Sequence, residues 1–456
     1  MARWARRTDE IPFGWVEISD AALQRLRHEL EDKGEGVVDE MGVLAIHSGY
    51  ADYFFPGTSV LQTRPRYLFF VSWNFLWLAR PRGGVTAQNF LARKDEVDLW
   101  VTSQLVATER RSSAPGLPSS DMNGIIGVRV FGEDPPRLPA QRVDFIYWTA
   151  LRRWGFYRSR IAQDRARLFR RWRGSAIGRV GEGIDESQDD AIRDEPLAEF
   201  LVPEMPEDWQ NEESEGLDFE LTGSEARWLQ ERLLALDEVA EGPCLLAKAA
   251  ELCAELPPLM EHVEDSGLRP WDDPLAIRAA KAAGQFGRLE RASQASHLGR
   301  YVRAIYAALV EWVVEVTASP PRVKPLRHYR NLLRELAEDR VKRDATLALS
   351  LPVLCSDVPR IPRLLRNCLV HVQDGLRRVA GGEDAEKVFV DEATHRLFET
   401  VERRRKGGRA RLPRTEQGAA RRVGFDSKTV SVYDLDYRWN RVRYLLWDLN
   451  RGLARQ

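Results

Sequence analysis

Basic and aromatic side chains interleave at Arg152, Arg153, Trp154, Tyr157, Arg158 and Arg160. Guanidinium groups bind phosphate oxygens and flat rings stack on exposed bases, so this spacing predicts a nucleic-acid groove. Two other readings stay open. One is a solvated helix whose arginines pair with the acidic stretch that follows; the other is a hybrid in which that stretch covers the basic surface until nucleic acid displaces it. Arg403, Arg404, Arg405, Lys406 and Arg409, running on to Arg411 and Arg414, are a second phosphate-binding candidate. The alternative there is a set of cations complementing the carbonyl end of a helix. Gln62, Arg64 and Arg66 stand just before a strongly apolar run. Polar groups in such a place either satisfy buried backbone or line a pocket for a phosphate or a partner's carboxylate.

Other chemistries find less to work with. Metal-dependent nuclease chemistry needs converging carboxylates and usually a lysine. Glu96 and Asp98 beside Lys94, and Asp391 and Glu392 after Glu386 and Lys387, have the residue types without strand-borne spacing. The histidines, at positions 28, 47, 262, 297, 328, 371 and 395, include no pair three or four residues apart, so no metal site is expected. Gly-x-x-x-x-Gly-Lys-Ser/Thr and Gly-x-Ser-x-Gly do not occur, and Gly178, Gly181 and Gly183 follow no strand of the dinucleotide-binding type. ATPase, dehydrogenase and nucleophile-elbow hydrolase readings fall away, and no cofactor is expected.

Arg366-Asn-Cys-Leu-Val-His371 lies in an apolar helical pattern and resembles the short signature of HEPN-domain ribonucleases. The resemblance implies that Arg366 and His371 would face a scissile phosphate across a dimer, with the imidazole in acid–base work. The other reading of the same residues is a partly buried histidine and a surface arginine.

The elements that must hold these residues are mostly helices. Ser19 or Asp20 caps a helix expected over Ala21 to Leu30. Further helices are expected near Glu40 to Tyr53, over Arg66 to Arg80 and over Thr86 to Ala107, with a turn at Pro56-Gly57. Arg111 to Asp121 reads as an exposed loop, Gly124 to Phe131 as a strand and Asp144 to Tyr157 as a helix. Between Leu151 and Val180 ten arginines meet one acid, Asp164; between Gly181 and Glu220 sixteen acids meet one base, Arg193. Pro196, Pro203 and Pro206 interrupt the acidic stretch, which therefore reads as a flexible linker. From Ser224 to about Lys406 the pattern is helical, including Glu225 to Ala235 and Leu275 to Val316, and a last helix runs from Tyr437 to Leu449.

The expected fold class is mainly α and multi-helical, with a small β element in the N-terminal half. The expected parts are a helical domain at 1–180 with a basic C-terminal end, an acidic flexible linker at 181–222, and a helical domain at 223–456 with a basic stretch at 401–428. With 43% hydrophobic and 30% charged residues, the chain is able to bury a large core and is not disordered. Its net charge of −1 says nothing of partners until resolved along the chain. Cys244, Cys253, Cys355 and Cys368 form no Cys-x-x-Cys pair, and no secretory signal pattern opens the chain, so a reducing cytoplasm is expected. The apolar run Tyr67 to Ala79 is shorter than the ~18–20 residues a membrane helix needs, and Ser72 and Asn74 interrupt it. It predicts core, and no membrane partner.

Asp39-Glu-Met-Gly-Val-Leu-Ala-Ile-His-Ser-Gly-Tyr-Ala-Asp52 and Phe55-Pro-Gly-Thr-Ser-Val-Leu-Gln-Thr-Arg-Pro-Arg-Tyr-Leu-Phe-Phe-Val-Ser-Trp73 resemble an uncharacterised bacterial family, catalogued only as a domain of unknown function. Gly124 to Gly127 with Ile146 to Gly155, Val401 to Arg403 with Ala410 to Leu412, and Leu435 to Trp439 fit the same pattern. The acidic segment 181–220 departs from it as an insertion or expanded linker, and the region before Tyr433 lacks the glycine-rich loop. The resemblance implies neighbours of the helicase and phospholipase D-like kinds in bacterial antiphage defence islands, hence an accessory role in nucleic-acid immunity; it implies no activity. The leading expectation is a non-catalytic subunit that binds nucleic acid, taken as DNA, and acts with a helicase or phospholipase D-like partner. A HEPN-like or other nuclease using Arg366 and His371, and a protein-only scaffold, are the alternatives.

Overall fold

The computed structural model describes residues 39–80, 89–112, 124–159, 198–211, 216–239, 243–256, 268–318 and 326–455. The helix expected at 21–30, most of the loop at 111–121, Arg160 with the arginines after it, and the acidic residues 181–197 lie outside these. In chain order the helices are α1 (Leu44–Phe54), α2 (Tyr67–Leu78), α3 (Phe90–Ser112), α4 (Val128–Phe131) and α5 (Val143–Arg153). Strands β1 (Tyr157–Ser159) and β2 (Ala198–Phe200) follow. Then come α6 (Gly223–Leu234), α7 (Leu236–Val239), α8 (Leu245–Ala254), α9 (Pro274–Ala282), α10 (Phe286–Thr317), α11 (His328–Glu338) and α12 (Arg340–Ala348). The chain continues with α13 (Leu351–Asp357), α14 (Arg363–Ala380), α15 (Ala385–Phe389), α16 (Glu392–Lys406), a 3-10 turn (Gly407–Arg409), α17 (Glu416–Arg422) and α18 (Trp439–Leu453).

The fold is mainly helical, and among the described residues the β element is one antiparallel pair with Tyr157 opposite Phe200. The strand expected at 124–131 is not formed. Gly124 and Gly127 take left-handed φ values of +91° and +82°, which turn the chain, and the apolar residues after them wind into α4. The helical pattern over 275–316 forms two helices, α9 and α10, and the helix expected over 144–157 ends at Arg153, with Tyr157 opening β1.

By backbone contacts the described residues form two compact units, one from 39–53 and 287–437, the other from those within 54–286 and 438–455. The division is interleaved in sequence, unlike the sequential parts 1–180, 181–222 and 223–456. In the first unit α10 is buried on every side from Tyr301 to Glu311, with Leu289, Leu298, Val302, Ile305, Leu309 and Val313 also among its buried residues, which makes it the core helix. Its Tyr301 hydroxyl donates to the Leu336 carbonyl at 2.6 Å and its Tyr306 hydroxyl to Glu402 at 2.6 Å.

In the second unit α2 is the corresponding element, buried along most of its length and packed on α3 and α5. Part of the segment expected to be a flexible linker belongs to this core. Phe200, Trp209, Phe219 and Leu221 are buried; Phe200 stacks on Phe75 at 5.1 Å between centroids, and Trp209 meets Trp73 edge-on at 5.1 Å. Acidic composition signalled a flexible linker, but Phe200, Trp209 and Phe219 outweigh that signal once their rings pack on rings of α2.

Candidate functional site

The loop between α1 and α2 positions Gln62, Arg64 and Arg66. Pro56-Gly57 makes the expected turn, with Gly57 at φ +89°, and the Trp154 indole Nε1 donates to the Pro56 carbonyl at 2.8 Å. The Gln62 amide donates to the carbonyls of Gly57 (3.1 Å) and Ile146 (3.4 Å) and accepts from the Ser59 N–H (3.0 Å), so it satisfies buried backbone. The Tyr147 hydroxyl accepts from the N–H groups of Thr63 and Arg64 and donates to the Arg64 carbonyl at 2.8 Å. Burial pushes its pKa up to about 12, so it stays a neutral donor.

Arg64 grips Asp448 with two hydrogen bonds of 2.7 Å and lies over the rings of Phe219 and Trp447. Burial works against its charge, and the hydrogen bond and charge of Asp448 more than restore it, leaving the pKa raised. Arg66 binds both oxygens of Glu225, at 3.0 and 3.1 Å, and Asp218 at 2.6 Å. Glu225 also closes a capping box with Thr222 at the start of α6. The carboxylates expected from a partner are thus supplied by the chain itself.

Beside Arg64 opens a cleft of about 460 Å³, lined among others by Leu105, Glu109, Glu220, Trp447, Arg451 and Arg455. Trp447, Arg451 and Arg455 recur at four-residue spacing and so share one face of α18 and its end. Arg451 lies over Trp447 at 4.8 Å and reaches Glu220 Oε1 at 3.5 Å, while Arg455 pairs with Glu220 Oε2. Sequence reading passed over these residues because no basic run marks them. The four-residue spacing of an aromatic and two arginines was the available signal.

The first predicted groove changes character. Trp154 and Tyr157 are buried, 2% and 4% exposed, so their rings belong to the core and are withdrawn as base-stacking platforms. Trp154 is tied to Pro56, and Tyr157 packs on Trp148 and Phe200. Arg152 and Arg158 are exposed and Arg153 is half-buried; Arg160 lies outside the described residues.

The second basic stretch is divided between structure and surface. Arg403, Arg404, Arg405 and Lys406 form the last turn of α16, where cations complement the helix dipole. Arg405 holds Asp39 through its carbonyl (3.1 Å) and carboxylate (3.0 Å), and Lys406 and Arg411 meet Glu40 at 3.4 and 3.2 Å. Burial holds the Lys406 ammonium below its ordinary pKa, with Glu40 opposing. Arg403 pairs with Glu399 at 2.9 Å, and Arg403, Arg404 and Arg409 are exposed. Beneath them Glu402 is fully buried and accepts from the N–H groups of Arg411 (2.9 Å) and Leu412 (2.8 Å), folding the chain back after Gly407.

Arg366 and His371 are not brought together within the chain. Arg366 donates to the carbonyls of Ile361 (2.9 Å) and Pro359 (3.2 Å), in the turn before its own helix. His371 is half-buried against Thr394 Oγ1 at 2.9 Å, and burial lowers its pKa. Lys94 and Asp98 do converge, with Asp144 from α5, at 2.5 and 3.3 Å from the ammonium. Asn74 donates to Asp98 at 3.0 Å. This set is wholly buried, and burial raises the Asp98 pKa, with Lys94 opposing and Asp144 reinforcing, so it reads as a core charge network. Glu96 is exposed and pairs with Arg93, Asp391 caps α16, and Glu392 meets Arg414. These placements leave the carboxylates of each proposed nuclease set apart.

Among the described residues no group of three His, Cys, Asp or Glu side chains could hold a metal ion, and no helix is long and apolar enough to cross a membrane. Comparison with curated proteins and with solved structures gives no match. Residues 14–110, which contain the sequence blocks at 39–52 and 55–73 but none of the later ones, match a family of unknown function, DUF6361.

Proposed function

We propose that this protein is a non-catalytic nucleic-acid-binding accessory subunit of a bacterial antiphage system, acting on DNA with a helicase or phospholipase D-like partner. The observation that carries the binding reading is the exposure of Arg403 and Arg404 at the end of α16 and of Arg409 in the 3-10 turn after it, beside Arg405, Lys406 and Arg411, which bind Asp39 and Glu40. The stretch thus presents cations at the surface as well as those that bind Asp39 and Glu40. Guanidinium groups at a surface bind phosphate oxygens through charge-assisted hydrogen bonds. An exposed i,i+4 pair such as Arg403 with Glu399 is weak, so a phosphate competes for it easily. Arg152 and Arg158 offer further exposed guanidiniums. The defence setting and the partner rest on the sequence resemblance alone.

The test is binding of labelled duplex DNA, single-stranded DNA and RNA across a salt series, with each sample also run on a denaturing gel. Affinity is expected to fall by orders of magnitude between about 50 and 200 mM salt. The variant Arg403→Glu/Arg404→Glu/Arg409→Glu is expected to lose binding, and Arg152→Glu/Arg158→Glu to weaken it. Binding untouched by either variant, or none at all, overturns the reading and leaves the scaffold. Cleavage that His371→Ala abolishes would replace it with the ribonuclease.

A further inference from the structure

We propose that the cleft beside α18 is a binding site for a phosphate monoester of nucleotide size, with Arg451 and Arg455 as its oxyanion ligands and Glu220 as an internal occupant that the ligand displaces. The site is separate from the exposed arginines of α16, and the inference does not rest on them.

Three observations converge. Arg451 and Arg455 each direct a guanidinium nitrogen at a different oxygen of one carboxylate, that of Glu220, so the pair already cradles an oxyanion. The cradle is pre-oriented: Arg451 rests on the Trp447 ring at 4.8 Å, and Arg455 also reaches the Leu221 carbonyl at 3.5 Å. Glu220, by contrast, is about half exposed and sits on the loop before α6, where an ion pair is weak and a dianion outcompetes a single carboxylate.

The remaining walls suit the rest of such a ligand. About 460 Å³ lies within the range of small-molecule sites and accommodates a nucleoside monophosphate. Leu105 and Phe219 supply apolar surface. The Glu109 carboxylate on the same wall is an acceptor for an amino or hydroxyl group. Arg64, neutralised by Asp448, stays part of the floor rather than a ligand.

The experiment measures binding of AMP and of adenosine to the full chain at low salt by calorimetry, for the natural protein and for Glu220→Gln, Arg451→Gln and Arg455→Gln. AMP is expected to bind and adenosine to bind far more weakly. Glu220→Gln is expected to tighten AMP severalfold, and each arginine variant to weaken it by about tenfold or more, the loss of one charged hydrogen bond. Thermal melts check that all three variants fold. Equal affinity for AMP and adenosine, or AMP affinity unmoved by Glu220→Gln and Arg455→Gln, overturns the assignment. Competition by a 5′-phosphorylated oligonucleotide but not its 5′-hydroxyl form identifies a strand end as the source of the phosphate; competition by neither identifies the free nucleotide. AMP binding that persists in Arg403→Glu/Arg404→Glu/Arg409→Glu keeps the result distinct from the surface-binding test.

Discussion

Arg64 and Asp448 are joined by a two-toothed ion pair, Nε and Nη2 each 2.7 Å from a separate carboxylate oxygen, across 384 positions of sequence. Their side chains are 13% and 3% exposed, so the pair is largely removed from water. A buried pair of this geometry contributes less through its own attraction than it costs to break, because one partner left behind is an uncompensated charge.

Replacing Asp448→Ala is therefore expected to destabilise the protein by about 3–5 kcal/mol. Arg64→Met/Asp448→Leu, which removes both charges and keeps the volume apolar, is expected to recover most of that loss. Denaturant midpoints of the three proteins check it; a double variant no better than Asp448→Ala would show that the contact itself, not the orphaned charge, carries the energy.

Gly57 tests the turn that aims the loop. A Cβ there would lie 2.5 Å from the Trp154 Nε1, and the φ of +89° is one that other residues rarely adopt. Gly57→Ala is expected to cost more than about 1 kcal/mol from the backbone alone. It should also disturb the hydrogen bond from Trp154 to Pro56, which a shift in tryptophan emission together with a lower melting temperature would register.

Lys94 separates the buried carboxylates of Asp98 and Asp144. Burial already raises the Asp98 pKa, so its folded state holds a proton more tightly than the unfolded chain. Lys94→Met strengthens that bias. Because a raised carboxyl pKa costs stability as pH rises from the ordinary carboxylate value toward the folded one, the variant's deficit is expected to grow above about pH 4 and to shrink in acid. Unfolding midpoints at acidic and neutral pH decide it, and a deficit independent of pH counts against the network.

His371 has the opposite sign. Its folded pKa lies below the ordinary imidazole value because it is half-buried, with Asp391 and Asp374 opposing that shift and Arg378 adding to it. The unfolded chain then takes up the proton first, so stability is full above about pH 6.5 and is lost as pH falls through the folded pKa. His371→Gln, which keeps a partner for Thr394, is expected to match the natural protein at neutral pH and to exceed it near pH 5. Parallel curves for the two proteins would remove the buried imidazole as the cause.

Much of the helical architecture was legible in the residues themselves. The apolar run from Tyr67, the periodic pattern ending the chain and the Pro56-Gly57 turn each act through neighbours a few positions away, and local rules read such signals directly. Gln62 as a group satisfying buried backbone was likewise among the readings of the sequence. The strand expected at 124–131 failed for a local reason as well, since Gly124 and Gly127 within it are left-handed turn positions.

Which arginines are spent and which stay exposed was decided only by the tertiary structure. Basic and aromatic interleaving pointed to Trp154 and Tyr157, and the run of cations to Arg404 and Arg405. Packing buried the two rings, carried Arg405 to Asp39 across 366 positions, and left Arg404 exposed. Likewise Glu220, which nothing in its acidic stretch singles out, lies across Arg451 and Arg455. Electrostatic pairing depends on distance in space and on the water removed around each charge, whereas sequence reports distance along the chain. The residue types and helical periods were set by the sequence alone; the assignment of each charge to core, cleft or surface came with the long-range contacts.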